Sequence, residues 1–389
     1  MKATIIGAGN IGRGFLGQLF AEAHAEITFV ELDEVIVAAL RERGGYDIRI
    51  VSETTTTFHV PVARAINAAD PEGVAHAIAE ADIAATAAGV AALPAVAKQI
   101  ARGLEQRFEK GHRHLNIVVC ENILHSGQHL ASLVENNLPA ALRRRLHDAV
   151  GFAAAVVSRM VPRPTEAQRR ADPLAIAVEP YCIMPVDATA FIGERPAVPG
   201  FRYADNIVAL EEQKAFTHNA GHAILAYLGY RRGHTYVWEA VGDPDVRSIV
   251  AEALDETSRA LVKRHGFDPA EQRQHVEDLL GRFGNRPLGD TVARVAQDPI
   301  RKLRPDGRLI GSARLALEYD ITPTRIIDGI VAALMYDHPD DAQALELQAF
   351  IGRQGVHAAL QEFCGLDEKE WLTQEIETRF RRAMKGITS

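Results

Sequence analysis

A chain of 389 residues exceeds what one compact core usually sustains, so two domains of roughly 100 to 200 residues each are expected. Hydrophobic residues at 47% and charged residues at 24% are the balance of a folded globular chain, which excludes disordered, collagenous and coiled-coil classes. With 43 Lys and Arg against 51 Asp and Glu, the formal net charge is −8, so there is no global basic field to hold nucleic acid or an anionic membrane, and the partners expected are small molecules.

The chain opens as Met1-Lys2-Ala3-Thr4-Ile5-Ile6-Gly7 without a charged-then-apolar leader. No window approaches about 18 uninterrupted apolar residues, and a cytoplasmic, non-membrane protein is expected. Short β-rich runs follow at Ala3–Ile6, Ile27–Glu31, Ile83–Ala87 and Leu115–Cys120, with helical spacing at Phe15–Ala25 and Pro94–Phe108 between them. That alternation predicts a parallel α/β sheet. Two more β-like runs, Phe152–Val161 and Leu174–Val186, precede the Pro- and Gly-containing stretch Glu194–Gly200. Beyond it the pattern becomes long helical runs: Ile207–Leu228, Val246–His265, Gln272–Leu280, Pro323–Met335 and Asp341–Ile351. The Thr54–Thr57 run is read as mild compositional bias. The three cysteines, Cys120, Cys182 and Cys364, have no CxxC spacing, which supports neither a disulfide framework nor a cysteine zinc site.

Gly7-Ala8-Gly9-Asn10-Ile11-Gly12-Arg13-Gly14 lies between a strand-like run and a helix-like one, the setting that gives GxGxxG its meaning. Gly7 permits the strand-to-helix turn, Gly9 lets backbone approach a pyrophosphate, and Gly12 allows helix and strand to pack closely. Backbone N–H groups at the helix start then bind phosphate. Glu31 ends the second strand, 24 residues after Gly7, where a carboxylate accepts from ribose hydroxyls and repels a 2′-phosphate, so NAD is favoured over NADP. Asp33 is the neighbouring alternative. Thr86 and Gly89 lie near the end of a further strand, in a run of small residues that would let the nicotinamide half pass close to backbone. Asn122 follows another strand at the same sheet edge, as a ligand contact or as a local cap. The expected architecture is an N-terminal Rossmann-type doubly wound sheet over 1–198 followed by an all-α domain over 199–389.

In the apolar segment from Lys214 to Tyr227, three polar side chains stand out: Lys214, Asn219 and His222. At α-helical geometry Asn219 falls about 140° and His222 about 80° from Lys214, so all three share one broad face. Burying them without partners costs several kcal/mol, which leaves them satisfied within a core or used in chemistry. A lysine desolvated beside a positively charged nicotinamide has its charged form disfavoured and becomes a general base, the group that alcohol oxidation needs. His218 and His222 are four apart, a zinc-ligand spacing, but neither HExxH nor a cysteine pair accompanies them, and no metal is expected.

The sequence resembles the polyol-specific long-chain dehydrogenases, most closely their mannitol-1-phosphate 5-dehydrogenase branch. The likeness spans nearly the whole chain: the glycine-rich opening, Cys120-Glu121-Asn122, Arg159-Met160-Val161-Pro162, Lys214 with Asn219 and His222, Ala226-Tyr227-Leu228-Gly229, Gly281-Arg282-Phe283, Ile300-Arg301-Lys302-Leu303 and Arg308-Leu309-Ile310. Lys-x4-Asn-x2-His is that family's signature. The resemblance implies Lys214 as general base, Asn122 and Asn219 as hydrogen-bond donors to the reacting oxygen, and His222 orienting the substrate. It implies metal-independent oxidation of D-mannitol 1-phosphate by NAD to D-fructose 6-phosphate. Arg13, Arg301, Lys302 and Arg308 are the candidates for the substrate phosphate, and Glu211 or Glu212 either relays the proton or belongs to a solvated helix face. Related reductases of free or carboxylated ketoses share the lysine pattern and are the alternative, with a non-catalytic NAD-binding sensor behind them. A monomer or weak homodimer is expected.

Overall fold

Strand residues point alternately to the two faces of a sheet, so a run that is apolar at every position needs cover on both sides. The computed structural model, which describes residues 1–111 and 114–386, meets that need in its first half. The strands in chain order are β1 (Lys2–Ile6), β2 (Glu26–Glu31), β3 (Gly45–Val51), β4 (Thr55–Pro61), β5 (Arg64–Asn67), β6 (Ile83–Thr86), β7 (Leu115–Val119) and β8 (Val150–Ala154). Six of them form one parallel sheet in the order β5-β2-β1-β6-β7-β8. Renumbered within the sheet this is 3-2-1-4-5-6, the doubly wound Rossmann order, whose direction reverses between β1 and β6. On one face Ile5, Ile27 and Phe29 pack with Phe15, Leu19 and Phe20. On the other, Ile6, Val30, Ile117 and Val119 meet Val74, Ile78, Ile100 and Leu104.

Between β2 and β5 the chain inserts an antiparallel hairpin, β3 with β4, joined by the short β9 (Ala177–Val178). The threonine run read as bias opens this β4, as suits β-branched side chains in a strand. The two later β-like runs are mostly irregular. Ladder pairing stops at Ala154 because the following apolar stretch wraps a buried arginine. Arg159 donates from Nε to Glu179 O at 3.0 Å and from Nη1 to Gly14 O at 3.0 Å. Of Leu174–Val186 only β9 and β10 (Met184–Asp187) pair, on either side of Pro180, which has no N–H to give. β10 lies parallel to β11 (Phe201–Ala204).

The chain divides into two compact units, Met1–Glu211 and the residues from Glu212 onward. The division lies beyond the expected 198/199 because β11 pairs with β10 and Ile207 packs on Ala154 and Val156, which keeps 199–211 with the sheet. Among the described residues every regular element of the second unit is helical. Its central helix, Ala220–Arg231, is buried along most of its length, and Pro244–His265, Val292–Ala296 and Thr324–Leu334 pack around it. Among the described residues no helix is long and apolar enough to cross a membrane.

Candidate active site

β1 ends at Ile6, and Gly7 takes φ +104°, a conformation that side-chain-bearing residues avoid. A Cβ on Gly12 would stand 1.9 Å from the carbonyl oxygen of Gly7, whereas one on Gly9 would meet nothing within 4 Å. Gly12 is therefore a packing glycine and Gly9 faces open space, as a pyrophosphate-binding turn requires. The helix that follows begins with a π-helical turn, Gly12–Leu16. Beside it lies a cleft of about 890 Å³ whose lining includes Gly9, Asn10, Ile11, Gly89, Glu121 and Asn122, at the switch point where nucleotides bind in such sheets.

Glu31 is tied into this turn: its Oε2 accepts from Ala8 N at 2.7 Å and its Oε1 from Leu32 N at 2.7 Å. Asp33 instead caps the helix Glu34–Arg43 by accepting from Val35 N at 2.9 Å. Of the two carboxylates, Glu31 is thus the one joined to the glycine turn. Thr86 is fully buried at the end of β6, and Gly89 presents backbone to the cleft with φ +90°. Glu121 is 6% exposed and accepts from Ala88 N at 3.0 Å and Gly89 N at 2.9 Å. Burial pushes its carboxyl pKa up, against the lowering effect of those hydrogen bonds. Asn122 is exposed at the cleft edge.

Arg13 turns inward. Its Nε donates to Ala8 O at 2.6 Å and it is 3% exposed, so the guanidinium braces the glycine turn from beneath. Three further arginines line the cleft along with it, Arg163, Arg169 and Arg170. Sequence reading passed over them; the legible signal was the capping box at Thr165 and Gln168 that starts the helix Glu166–Ala171.

In the second unit His222 lies in the first turn of the helix Ala220–Arg231, and Lys214 and Asn219 open and close a second π-helical turn, Lys214–Asn219, set between the helix Ile207–Gln213 and that one. Its i→i+5 bonding lengthens the turn, so Lys214 and Asn219 lie more nearly above one another than the 140° of an α-helix, about 100° per residue, would place them. Both are half-buried, and His222 is 9% exposed. Phe283 stacks on His222 at 4.7 Å and 16°, and Asp290 Oδ2 lies 3.5 Å from His222 Nε2, the far limit of a hydrogen bond. His218, beside them, is buried, and desolvation holds its pKa well below the usual histidine range. Glu212 is committed to structure, accepting from Arg264 at 3.1 Å and pairing with His265 at 2.7 Å. Glu211 belongs to the first unit, where it accepts from His125 N at 3.3 Å. Among the described residues no group of three His, Cys, Asp or Glu side chains is placed to hold a metal ion.

The remaining phosphate candidates separate by environment. Arg301 is exposed and paired with Asp298 at 3.1 Å. Lys302 is 3% exposed, 5.9 Å from the Tyr227 ring centroid, and its pKa is driven well down by burial and by the charges of Arg308 and Arg301. Burial and Arg301 push Arg308 down to about 10, and the charge of Arg308 in turn disfavours protonation of His222.

The chain shares its fold with solved dehydrogenases. Pseudomonas fluorescens mannitol 2-dehydrogenase, solved as a ternary complex with NAD and D-mannitol, aligns at TM-score 0.81 and 17% identity over 100% of this chain and 92% of its own. A D-sorbitol dehydrogenase in substrate-free form aligns at 0.76 and 17% identity, over 100% and 94%. A D-mandelate dehydrogenase with NADH and anilino(oxo)acetate aligns at 0.53 and 14% identity, over 90% and 99%. The mannitol dehydrogenase Rossmann domain matches residues 1–200 and the mannitol dehydrogenase C-terminal domain residues 206–384. With both halves matched, the chain belongs to the mannitol dehydrogenase family of NAD-dependent polyol dehydrogenases.

Proposed function

We propose that this dehydrogenase acts on a phosphorylated polyol, interconverting D-mannitol 1-phosphate and D-fructose 6-phosphate. The observation that carries the phosphate is the pair formed by the buried Lys302 and the half-buried Arg308. Both are desolvated, Arg308 presses on Lys302 as a like charge, and neither forms an ion pair with a carboxylate among the described residues. Such a pair costs stability until a dianion joins it. The charge of Arg308 also acts on His222, disfavouring its protonation, which supports a positive subsite in the same unit.

In the proposed roles, Gly7 to Gly12 and Gly89 receive the dinucleotide through backbone, and Glu31 receives the adenosine ribose. NAD, when bound, supplies the hydride acceptor. Lys214 takes the hydroxyl proton as the C–H bond at C5 gives up its electron pair, Asn122 and Asn219 donate to the oxygen as it becomes a carbonyl, and His222 holds a neighbouring hydroxyl.

The test is NADH oxidation with fructose 6-phosphate, fructose and a ketouronate at fixed NADH. Fructose 6-phosphate is expected to be turned over at least 100-fold more efficiently than fructose. Comparable rates, or activity on the ketouronate alone, would transfer the assignment to a reductase of free or carboxylated ketoses. Lys214→Ala should lower turnover by about 10²-fold or more, the usual loss of a general base, while NADH still binds by fluorescence titration; loss of turnover with wild-type lysine on every ketose would point to the NAD-binding sensor.

A further inference from the structure

The side chain that faces His222 comes from a segment far along the chain. Asp290 is 5% exposed, and Arg294 clamps its carboxylate, Nε to Oδ1 at 2.5 Å and Nη2 to Oδ2 at 2.6 Å. A carboxylate held by two parallel bonds does not swing, and its Oδ2 is the polar atom that meets His222 Nε2, at 3.5 Å. Nε2 is sealed from water with no closer partner, and the stacked Phe283 fixes the plane of the ring. Burial and the charges of Arg294 and Arg308 oppose protonation of the imidazole, with Asp290 acting in the other direction. A neutral imidazole carries one N–H, and a carboxylate bound by arginine only accepts. The ring proton therefore belongs on Nε2, and Nδ1 keeps its lone pair.

We propose that Asp290 is a positioning residue that fixes His222 as the Nε2–H tautomer, so that Nδ1 is offered as an acceptor to a substrate hydroxyl. The inference rests on the reading of His222 as a substrate contact. It deepens that reading by giving the contact a direction: the site selects a group that donates at this position, as a polyol hydroxyl does, over one that only accepts.

The informative variant is Asp290→Asn. Arg294 can only donate, so it keeps the single remaining side-chain oxygen, and the amide NH₂ is left facing His222. Nε2 must then accept, and the ring proton moves to Nδ1; an exchange of this kind preserves geometry and installs the wrong tautomer. The experiment uses the full-length protein labelled with ¹⁵N-histidine, long-range ¹H–¹⁵N correlations to read the tautomer, and loss of the signal in His222→Gln to assign it. The expected result is a protonated Nε2 in the wild type, a protonated Nδ1 in Asp290→Asn, and kcat/KM for the ketose lowered roughly 10- to 100-fold with NADH affinity unchanged. Asp290→Glu, which retains an acceptor-only carboxylate, should keep the wild-type tautomer. A wild-type His222 carrying its proton on Nδ1, or carrying two, overturns the proposal without need of any variant. A tautomer that moves while kcat/KM stays constant overturns the substrate contact at His222, and leaves the choice among ketoses to the substrate panel.

Discussion

In the role proposed for it, Lys302 opposes folding while serving binding. Its amine is buried, its charge is disfavoured by Arg308 and Arg301, and Asp298 and Asp341 offset this only in part. Lys302→Met keeps the length and removes the charge, so the ligand-free protein should melt at a higher temperature. Fructose 6-phosphate should stabilise the wild type and leave the variant unmoved, since a ligand raises the melting temperature only through differential affinity for the folded state. Both shifts are read by thermal denaturation with and without the sugar phosphate, and a variant that melts lower than wild type would sink the argument. Arg13 teaches the reverse lesson. Its position in the glycine-rich opening suggested a phosphate ligand, yet its guanidinium is turned onto Ala8 O, which sequence spacing alone does not reveal.

Both π-helical turns among the described residues lie on functional candidates, Gly12–Leu16 after the glycine turn and Lys214–Asn219 at the signature lysine. An inserted residue in a helix is unfavourable by itself and is typically retained where it re-aims a side chain. The glycine turn separates packing from binding in a way that two variants can measure. Gly12→Ala would drive a methyl group to 1.9 Å from Gly7 O, and should destabilise the protein by about 3 kcal/mol or more, since backbone rather than a flexible side chain must yield. Gly9→Ala meets nothing within 4 Å, so its melting temperature should match wild type while NADH affinity falls at least tenfold. Equal melting temperatures for the two variants would refute this division. The strand–turn–helix context made the turn legible from sequence, because its requirements are local. The π character of the helix that follows left no such mark, since a helical apolar pattern reads alike with or without one extra residue.

On the scale of the whole molecule, His218 and His222 are buried and His275 is half-buried, and desolvation lowers the pKa of each. In the unfolded chain a histidine titrates near about 6.5. Below that value the unfolded state binds more protons than the folded one, so stability is fully present above about pH 6.5 and declines as the pH falls. Asp290 extends the loss further into acid. Although burial raises its pKa, the hydrogen bonds from His222 and Arg294 hold it well below the usual carboxylate range, so its contribution is present above about pH 4 and fades below. Melting temperature should therefore hold above about pH 6.5 and drop steadily from there toward about pH 5, and His218→Phe should flatten that slope; an unchanged slope would show that His218 takes up no proton on unfolding.

Sequence by itself determined the features that local physics enforces: an α/β half and a helical half, a dinucleotide turn with its acidic strand end, and the lysine, asparagine and histidine that share a helix face. Apolar period, glycine freedom and carboxylate position act within a few residues, so they are written in the order of the letters. Tertiary structure decided which polar groups are spent and which are left for a ligand. It brought Asp290 to His222, gave Asp33 to a helix cap and Glu31 to the glycine turn, and lined the cleft with Arg163, Arg169 and Arg170. Among the described residues it also left Lys302 and Arg308 without a carboxylate ion pair while Arg301 took Asp298. Those pairings depend on desolvation and on hydrogen bonds between segments distant along the chain, and only the folded packing fixes them.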